Sequence, residues 1–236
     1  MSKNKKMQKQ KVAIVTGANG NLGTAVVQKF LENEYTVIGI VHKRTETRVE
    51  HDQYQEVVGD LSNEADCQKM IGGIVEKYQS IDAAILTVGG FAMGNIESTG
   101  MAQIQQQCQL NFLTAYNVAR PVFLQMMQQN SGRIFLIGSQ AGLNTAHAKG
   151  VTAYGLSKSL LFDLAKIMNA ESKGKNVVTS VIVPGIIDTA QNRKDMPDKD
   201  FSEWTTPSQI ADVVYFYSSE EASVIREPVI KVYNKL

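Results

Sequence analysis

The chain has 236 residues and 43% hydrophobic content, enough for one well-packed core. Its 24 basic and 23 acidic residues leave a net charge of +1, which argues against a general binder of nucleic acid or of an anionic membrane surface. No apolar run approaches the roughly 18 residues of a membrane span. Cys67 and Cys108 make no disulfide framework and fit a reducing compartment. His42, His51 and His147 lack metal-ligand spacing, so no metal is expected. Residues 1–10 are basic with no apolar stretch behind them and read as a disordered tail rather than a secretion signal. The expectation is one cytoplasmic domain over residues 11–236.

Taken in chain order, the pattern predicts a strand over 11–16, a helix over 20–33, strands over 35–41 and 54–58, and a helix over 63–79. A strand over 81–87, a long helix over 99–129, a strand over 132–138 and a helix over 151–173 follow. A strand over 177–183, a helix over 207–219 and a strand over 228–233 close the order. Pro121 is expected to kink its helix. Residues 186–206 carry little periodicity and read as a long loop with at most a helical turn, a candidate lid. The strands are continuous apolar runs such as AAIL and RIFLIG, as strands buried on both faces are. Repeated β-α-β units of this kind imply an α/β fold: a Rossmann-type, doubly wound parallel sheet of about seven strands with helices on both faces.

The first strand runs into TGANGNLG and a helix begins at once. Such a loop offers backbone N–H groups and the positive end of a helix to a phosphate. Gly17 would allow the tight turn, Gly20 a positive φ or close approach of a ligand, and Gly23 close packing of helix on sheet. The spacing is G-x-x-G-x-x-G, so Asn21 must tolerate close contact with a pyrophosphate. Asparagine accepts unusual φ better than most residues, and Asn19, Asn21 and Leu22 would present their N–H groups. An ordinary βα turn is the competing reading.

The second strand ends in Val41 and is followed by His42, Lys43 and Arg44. Folds that use NAD often place an acid here for the ribose hydroxyls; this cationic cluster would suit a 2′-phosphate instead. NADP(H) is therefore the expected cofactor, with NAD(H) possible and a solvated turn as the alternative. In VVGDLSN, Asp60 could contact an adenine amino group or cap the next helix, with Leu61 beside the cofactor.

Tyr154 and Lys158 stand four residues apart at the start of a strong helix, on one face. The lysine charge would favour phenolate and lower the tyrosine pKa, so the phenol could exchange a proton with a carbonyl or hydroxyl oxygen near neutral pH. The complementary hydride needs a nicotinamide. Ser139 ends a buried strand fifteen residues earlier, where its hydroxyl could hold the reacting oxygen.

The glycine loop, the strand ending in serine, Y-x-x-x-K and PGIIDT, in that order from about Lys11 to Thr189, resemble the short-chain dehydrogenase/reductase family. The resemblance implies that Asn111 holds a water in a proton relay, Ser139 orients the substrate carbonyl, Tyr154 is the acid/base, and Lys158 binds the nicotinamide ribose. It also implies that VPGIIDT lines the nicotinamide, through Pro184, Gly185, Ile187 and Thr189. The family usually carries N-N-A-G after the fourth strand. Here Thr87 and Val88 replace the asparagines, so bracing of the sheet end must come from elsewhere; Gly89 and Gly90 still allow close approach to the cofactor.

VGGFAMGN and residues 188–207 are similar to segments of dihydropteridine reductases, which implies common descent and a similar lid. Those enzymes typically lack the serine and asparagine present here. The expected function is NADP(H)-dependent interconversion of a carbonyl and a hydroxyl. The alternatives are pterin reduction and a non-catalytic NADP(H)-sensing regulator. Phe91, Met93, His147, Met196, Phe201 and Trp204 are candidate substrate contacts, with lid packing an equal reading for Phe201 and Trp204. Arg193, Lys194 and Asp195 could gate the site or simply be solvated, and solvation is the favoured reading. The two long helices are apolar on more than one side, as in a core or an interface. The family resemblance implies a homodimer or homotetramer built on them.

Overall fold

The computed structural model describes residues 10–44 and 49–234. Of the expected basic tail only Gln10 is among them. The elements are β1 (Val12–Thr16), α1 (Asn21–Glu32), β2 (Thr36–Val41), β3 (Tyr54–Val58), α2 (Glu64–Tyr78), β4 (Ala83–Leu86), α3 (Met101–Cys108) and α4 (Thr114–Gln129). They continue with β5 (Ser131–Ile137), α5 (Gln140–Leu143), α6 (Thr152–Glu171), β6 (Asn176–Pro184), α7 (Ala190–Asp195), α8 (Pro207–Ser218) and β7 (Val229–Val232).

All seven strands join one sheet in the order β3-β2-β1-β4-β5-β6-β7, and every pairing is parallel. The order reverses at β1, whose neighbours are β2 and β4, so a crevice opens there at the carboxyl ends of the strands. Strands such as β1 and β4 are buried along their whole length, because helices cover both faces. On one face Ile71 of α2, Val118 of α4 and Leu161 of α6 pack with Ile14, Ile38 and Leu136. On the other, Val27 and Phe30 of α1 and Val214 of α8 pack with Val15, Ile85 and Phe135. Burial on this scale, at about 25 cal/mol per Å² of apolar surface, is what holds the layers together.

The long helix expected over 99–129 is divided. A π turn over Gln109–Leu113 separates α3 from α4. The helix continues through Pro121, and the break in the α-helical hydrogen-bond pattern lies around Asn111. Residues 186–206 hold more structure than the sequence suggests: α7, a 3-10 turn over Phe201–Glu203, and a bridge between Ile187 and Thr205. Among the described residues, no helix is long and apolar enough to cross a membrane.

Candidate active site

A cleft of about 780 Å³ lies at the carboxyl ends of β1, β2 and β4, within the size range of small-molecule sites. Gly17, Asn19, Gly20, Asn21, Leu22 and Gly23 form one wall. Gly17 turns the chain out of β1 at φ +62°, where a Cβ would also stand 3.0 Å from Thr87 Oγ1. Gly20 does not use a positive φ. It is the N-cap of α1 at φ −82°, and its N–H donates to the Gly17 carbonyl at 2.9 Å. Gly23 is needed more acutely, because a Cβ there would lie 2.0 Å from the Gly17 carbonyl oxygen. Its tight contact is thus with its own loop rather than with the sheet. Asn21 needs no unusual φ: it is the first residue of α1, and among the described residues the non-glycine positions at positive φ are Glu34, Gln79 and Asn130.

These features suit a pyrophosphate. The amino end of α1 opens on the cleft with no acidic side chain in its first turn, so both N–H groups and dipole favour an anion. Asn19 Nδ2 donates to the Lys43 carbonyl at 3.2 Å and ties the loop to the turn after β2. His42 lines the cleft, whereas Lys43 and Arg44 do not. The Arg44 guanidinium lies 3.6 Å from the Glu56 carboxylate. Asp60 and Leu61 both line the cleft. Asp60 does not cap α2; Asn63 does, accepting from the Asp66 N–H at 3.2 Å. Asp60 accepts instead from the Ser62 N–H at 2.9 Å, which, with the Ser62 side chain and His42, holds its carboxyl below the ordinary range.

Val88 and Gly89 reach the cleft after β4, but Gly90 does not. Both glycines are dictated by protein packing. A Cβ on Gly89 would stand 2.7 Å from Asn111 Oδ1 and 3.0 Å from Lys158 Nζ, and one on Gly90 would stand 2.6 Å from Leu110 Cδ2. The bracing expected from elsewhere has two sources. The Thr87 hydroxyl donates to the Thr16 carbonyl at 2.7 Å, joining the ends of β4 and β1. Asn111, fully buried in the π turn, accepts from the Gly90 N–H at 2.9 Å. Its amide nitrogen lies 3.0 Å from each of the Gly90 carbonyl, Gln107 Oε1 and Ser157 Oγ. Gln107 and Ser157 were not singled out from the sequence. Their only signal was local: Gln107 precedes Asn111 by one helical turn and Ser157 adjoins Lys158.

Ser139, Tyr154 and Lys158 are brought together by β5, α5 and α6. Ser139 caps α5, accepting from the Gly142 N–H at 3.1 Å. α5 meets α6 at backbone distance, since a Cβ on Gly142 would lie 2.7 Å from the Lys158 carbonyl carbon. That contact sets Ser139 beside the phenol of Tyr154, near enough for its hydroxyl to act on the phenol's proton affinity. Lys158 Nζ donates to the Ile137 carbonyl at 2.7 Å, and burial pushes its pKa down to about 8. The expected lowering of the Tyr154 pKa by Lys158 is not present. Burial raises the phenol above its ordinary 10, and the neighbouring Ser139 side chain opposes this only in part. The reason is geometric: the ammonium is turned onto a carbonyl beneath Gly89, and Phe91 packs edge-on against the Tyr154 ring at 5.1 Å between centroids.

On the far side, Ile187 and Thr189 line the cleft while Pro184 and Gly185 do not. Pro184 ends β6, and the Gly185 N–H donates to the Val232 carbonyl at 3.0 Å. Thr189 caps α7, accepting from the Asn192 N–H at 3.1 Å, and Asn192 Nδ2 donates to the Ile187 carbonyl at 2.8 Å. Arg193 is not simply solvated. It grips Asp188 through two hydrogen bonds of 2.6 and 2.7 Å and lies over the Phe201 ring. Trp204 is 5% exposed and packs on Phe201, so it serves the internal packing of the 186–206 segment. Phe91 is exposed and packs against Tyr154, Met93 is exposed, and His147 is exposed in its loop. Among the described residues, no cluster of three or more His, Cys, Asp or Glu could hold a metal.

A family model described as short chain dehydrogenase matches residues 11–200. Acetoacetyl-CoA reductase of Acinetobacter sp. is 26% identical over 236 aligned residues, spanning 93% of this chain and 94% of that protein. Dihydropteridine reductase of Dictyostelium discoideum is 28% identical over 213, spanning 89% and 88%. The solved structure of ElxO with NADP bound has the same fold, with a TM-score of 0.85 at 23% identity over 95% of this chain and 97% of that one. So has the ligand-free aldohexose dehydrogenase of Thermoplasma acidophilum, with a TM-score of 0.82 at 24% identity over 95% and 92%.

Proposed function

The chain belongs to the short-chain dehydrogenase family, and we propose that it is an NADP(H)-dependent enzyme interconverting a carbonyl and a hydroxyl, with Tyr154 as the acid/base. Membership makes it an NAD(P)-dependent oxidoreductase; the 2′-phosphate preference, the residue roles and the substrate are the finer reading. One observation carries it most: Ser139 and Tyr154 are brought together beside a buried Lys158 and a glycine-walled cleft.

In the direction of reduction, a substrate carbonyl oxygen sits between the Ser139 hydroxyl and the Tyr154 phenol. Ser139 donates a hydrogen bond that holds the charge developing on that oxygen. Tyr154, kept protonated at neutral pH by burial, gives the proton. The nicotinamide, when bound, supplies the hydride. The loop Gly17–Gly23 and the amino end of α1 would hold the pyrophosphate, and His42, with Lys43 and Arg44 on the turn that follows it, would receive the 2′-phosphate. Asp60 and Leu61 would border the adenine, and Val88, Gly89, Ile187 and Thr189 the nicotinamide, since all six line the cleft. Lys158, whose Nζ lies close beneath Gly89, would hold the nicotinamide ribose. Asn111 acts here mainly as a positioning residue, since its side chain is committed to Gly90, Gln107 and Ser157.

Phe91 and Met93, with the partly buried Met196 and Phe201 on the lid, favour a substrate with an apolar end. A pterin is the second reading, favoured by the 28% identity to a dihydropteridine reductase. A homodimer or homotetramer is favoured by apolar side chains left in solvent on α4 and α6, including Leu124 at 49% exposure and Leu160 at 38%. The test is a panel of carbonyls and a quinonoid dihydropterin, followed by oxidation of NADPH and NADH. Turnover of a carbonyl with NADPH is expected. Tight NADPH binding without oxidation of any member would replace the enzyme with a cofactor sensor.

A further inference from the structure

We propose that Glu56, on β3, competes with the cofactor for Arg44 and so tunes the preference for a 2′-phosphorylated dinucleotide. This rests on the reading that the turn after β2 receives the 2′-phosphate.

Glu56 stands opposite Gly39 in the β2–β3 ladder. Its side chain is 12% exposed, and Oε1 is buried without a hydrogen-bond partner. The opposing charge is Arg44 Nε at 3.6 Å, on a side chain 62% exposed. The pair is therefore asymmetric. The carboxylate oxygen has lost water and gained an ion-pair partner but no hydrogen bond, so the contact is weak for the desolvation it entails. The guanidinium is mostly in water and can swing without unpacking anything. The turn that carries it is tied beside the amino end of α1 by the Asn19–Lys43 hydrogen bond. A phosphate dianion held at the turn after β2, where His42 borders the cleft, would draw Arg44 inward with short, paired, charge-assisted hydrogen bonds that Glu56 does not offer. Two anions thus share one guanidinium, and binding the 2′-phosphate means breaking the Glu56 contact. A non-phosphorylated dinucleotide leaves that contact intact. Glu56 should therefore weaken NADPH selectively and leave NADH nearly untouched.

The test is the dissociation constants of NADPH and NADH, measured by calorimetry on the full chain for the wild type, Glu56→Gln, Arg44→Ala and the double variant. Glu56→Gln is expected to tighten NADPH relative to NADH by about threefold, the scale of a partly exposed ion pair. Arg44→Ala is expected to weaken NADPH relative to NADH by about tenfold. In the Arg44→Ala background the Glu56→Gln gain should vanish. If Arg44→Ala lowers the ratio but Glu56→Gln leaves it unchanged, the competition is wrong and the cofactor reading stands. If the Glu56→Gln gain persists without Arg44, direct repulsion replaces competition. If Arg44→Ala leaves the ratio unchanged, the 2′-phosphate reading itself fails. Should Glu56→Gln not fold, Glu56→Asp withdraws the carboxylate by one methylene and is expected to give a smaller gain of the same sign; no gain overturns the proposal.

Discussion

The side chain of Asn111 holds the backbone of Gly90 by both of that residue's polar groups. Its Oδ1 accepts from the Gly90 N–H at 2.9 Å, and its Nδ2 donates to the Gly90 carbonyl at 3.0 Å. The same amide reaches Gln107 and Ser157. The loop after β4, the π turn and α6 are thereby locked to one another directly under the cleft. Asn111→Asp keeps the shape and removes the donors, leaving a fully buried carboxylate against acceptor oxygens. We expect a loss of about 2–4 kcal/mol in urea-induced unfolding. Gln107→Leu, which removes one partner, should lose about 1 kcal/mol.

Tyr154→Phe should lower kcat by about 10²–10⁴-fold, with cofactor affinity nearly intact, measured by turnover and calorimetry on one preparation. Ser139→Ala has two effects because the hydroxyl has two contacts. It should reduce kcat by about 10²–10³-fold through the reacting oxygen. It should also lower stability by about 1 kcal/mol through the lost cap on α5. Full activity in Tyr154→Phe would sink the mechanism.

Lys158 makes stability depend on pH with a definite sign. Burial lowers its pKa from 10.5 to about 8 in the folded protein. Below pH 8 it is charged in both states. Above that, the folded protein releases the proton while the unfolded chain keeps it, so this group's contribution to stability rises with pH. Up to the unfolded pKa the gain is on the order of 3 kcal/mol. Above pH 10 the raised pKa values of Tyr54, Tyr154 and Tyr233 act oppositely, since the unfolded chain then loses phenol protons that the folded protein keeps. Urea unfolding between pH 7 and 10 should show the wild type gaining on Lys158→Met across the interval. Parallel curves would contradict it.

Gly23→Ala places a methyl 2.0 Å from the Gly17 carbonyl oxygen. Neither backbone can yield without moving α1 or the loop, and the expected cost is about 1–3 kcal/mol. Dinucleotide affinity should fall further than stability, because the displaced groups are those that would face the pyrophosphate. Gly72→Ala is the control, since a Cβ there meets nothing within 4 Å.

Leu160→Glu puts a charge on the exposed apolar face of α6 without entering the core. Light scattering should show the wild type as a dimer or tetramer and this variant shifted toward monomer. A monomeric wild type at micromolar concentration would remove the interface reading.

Strand positions, strand direction and the long helices were legible in the sequence, because burial on both faces writes itself as apolar runs such as Ala83–Leu86 and helical faces as a 3.6 period. The spacing that puts Tyr154 and Lys158 on one face was legible for the same local reason. Tertiary structure decided what meets across elements: Asn111 with Gly90 and Ser157, Arg44 with Glu56, and Arg193 with Asp188. It also moved the positive φ to Gly17 and left Tyr154 above its ordinary pKa, against the expectation from its lysine. Periodicity records how much water each residue loses. Which partner replaces that water, and hence how a phenol or a carboxylate behaves, is set by the packing of segments far apart in the chain.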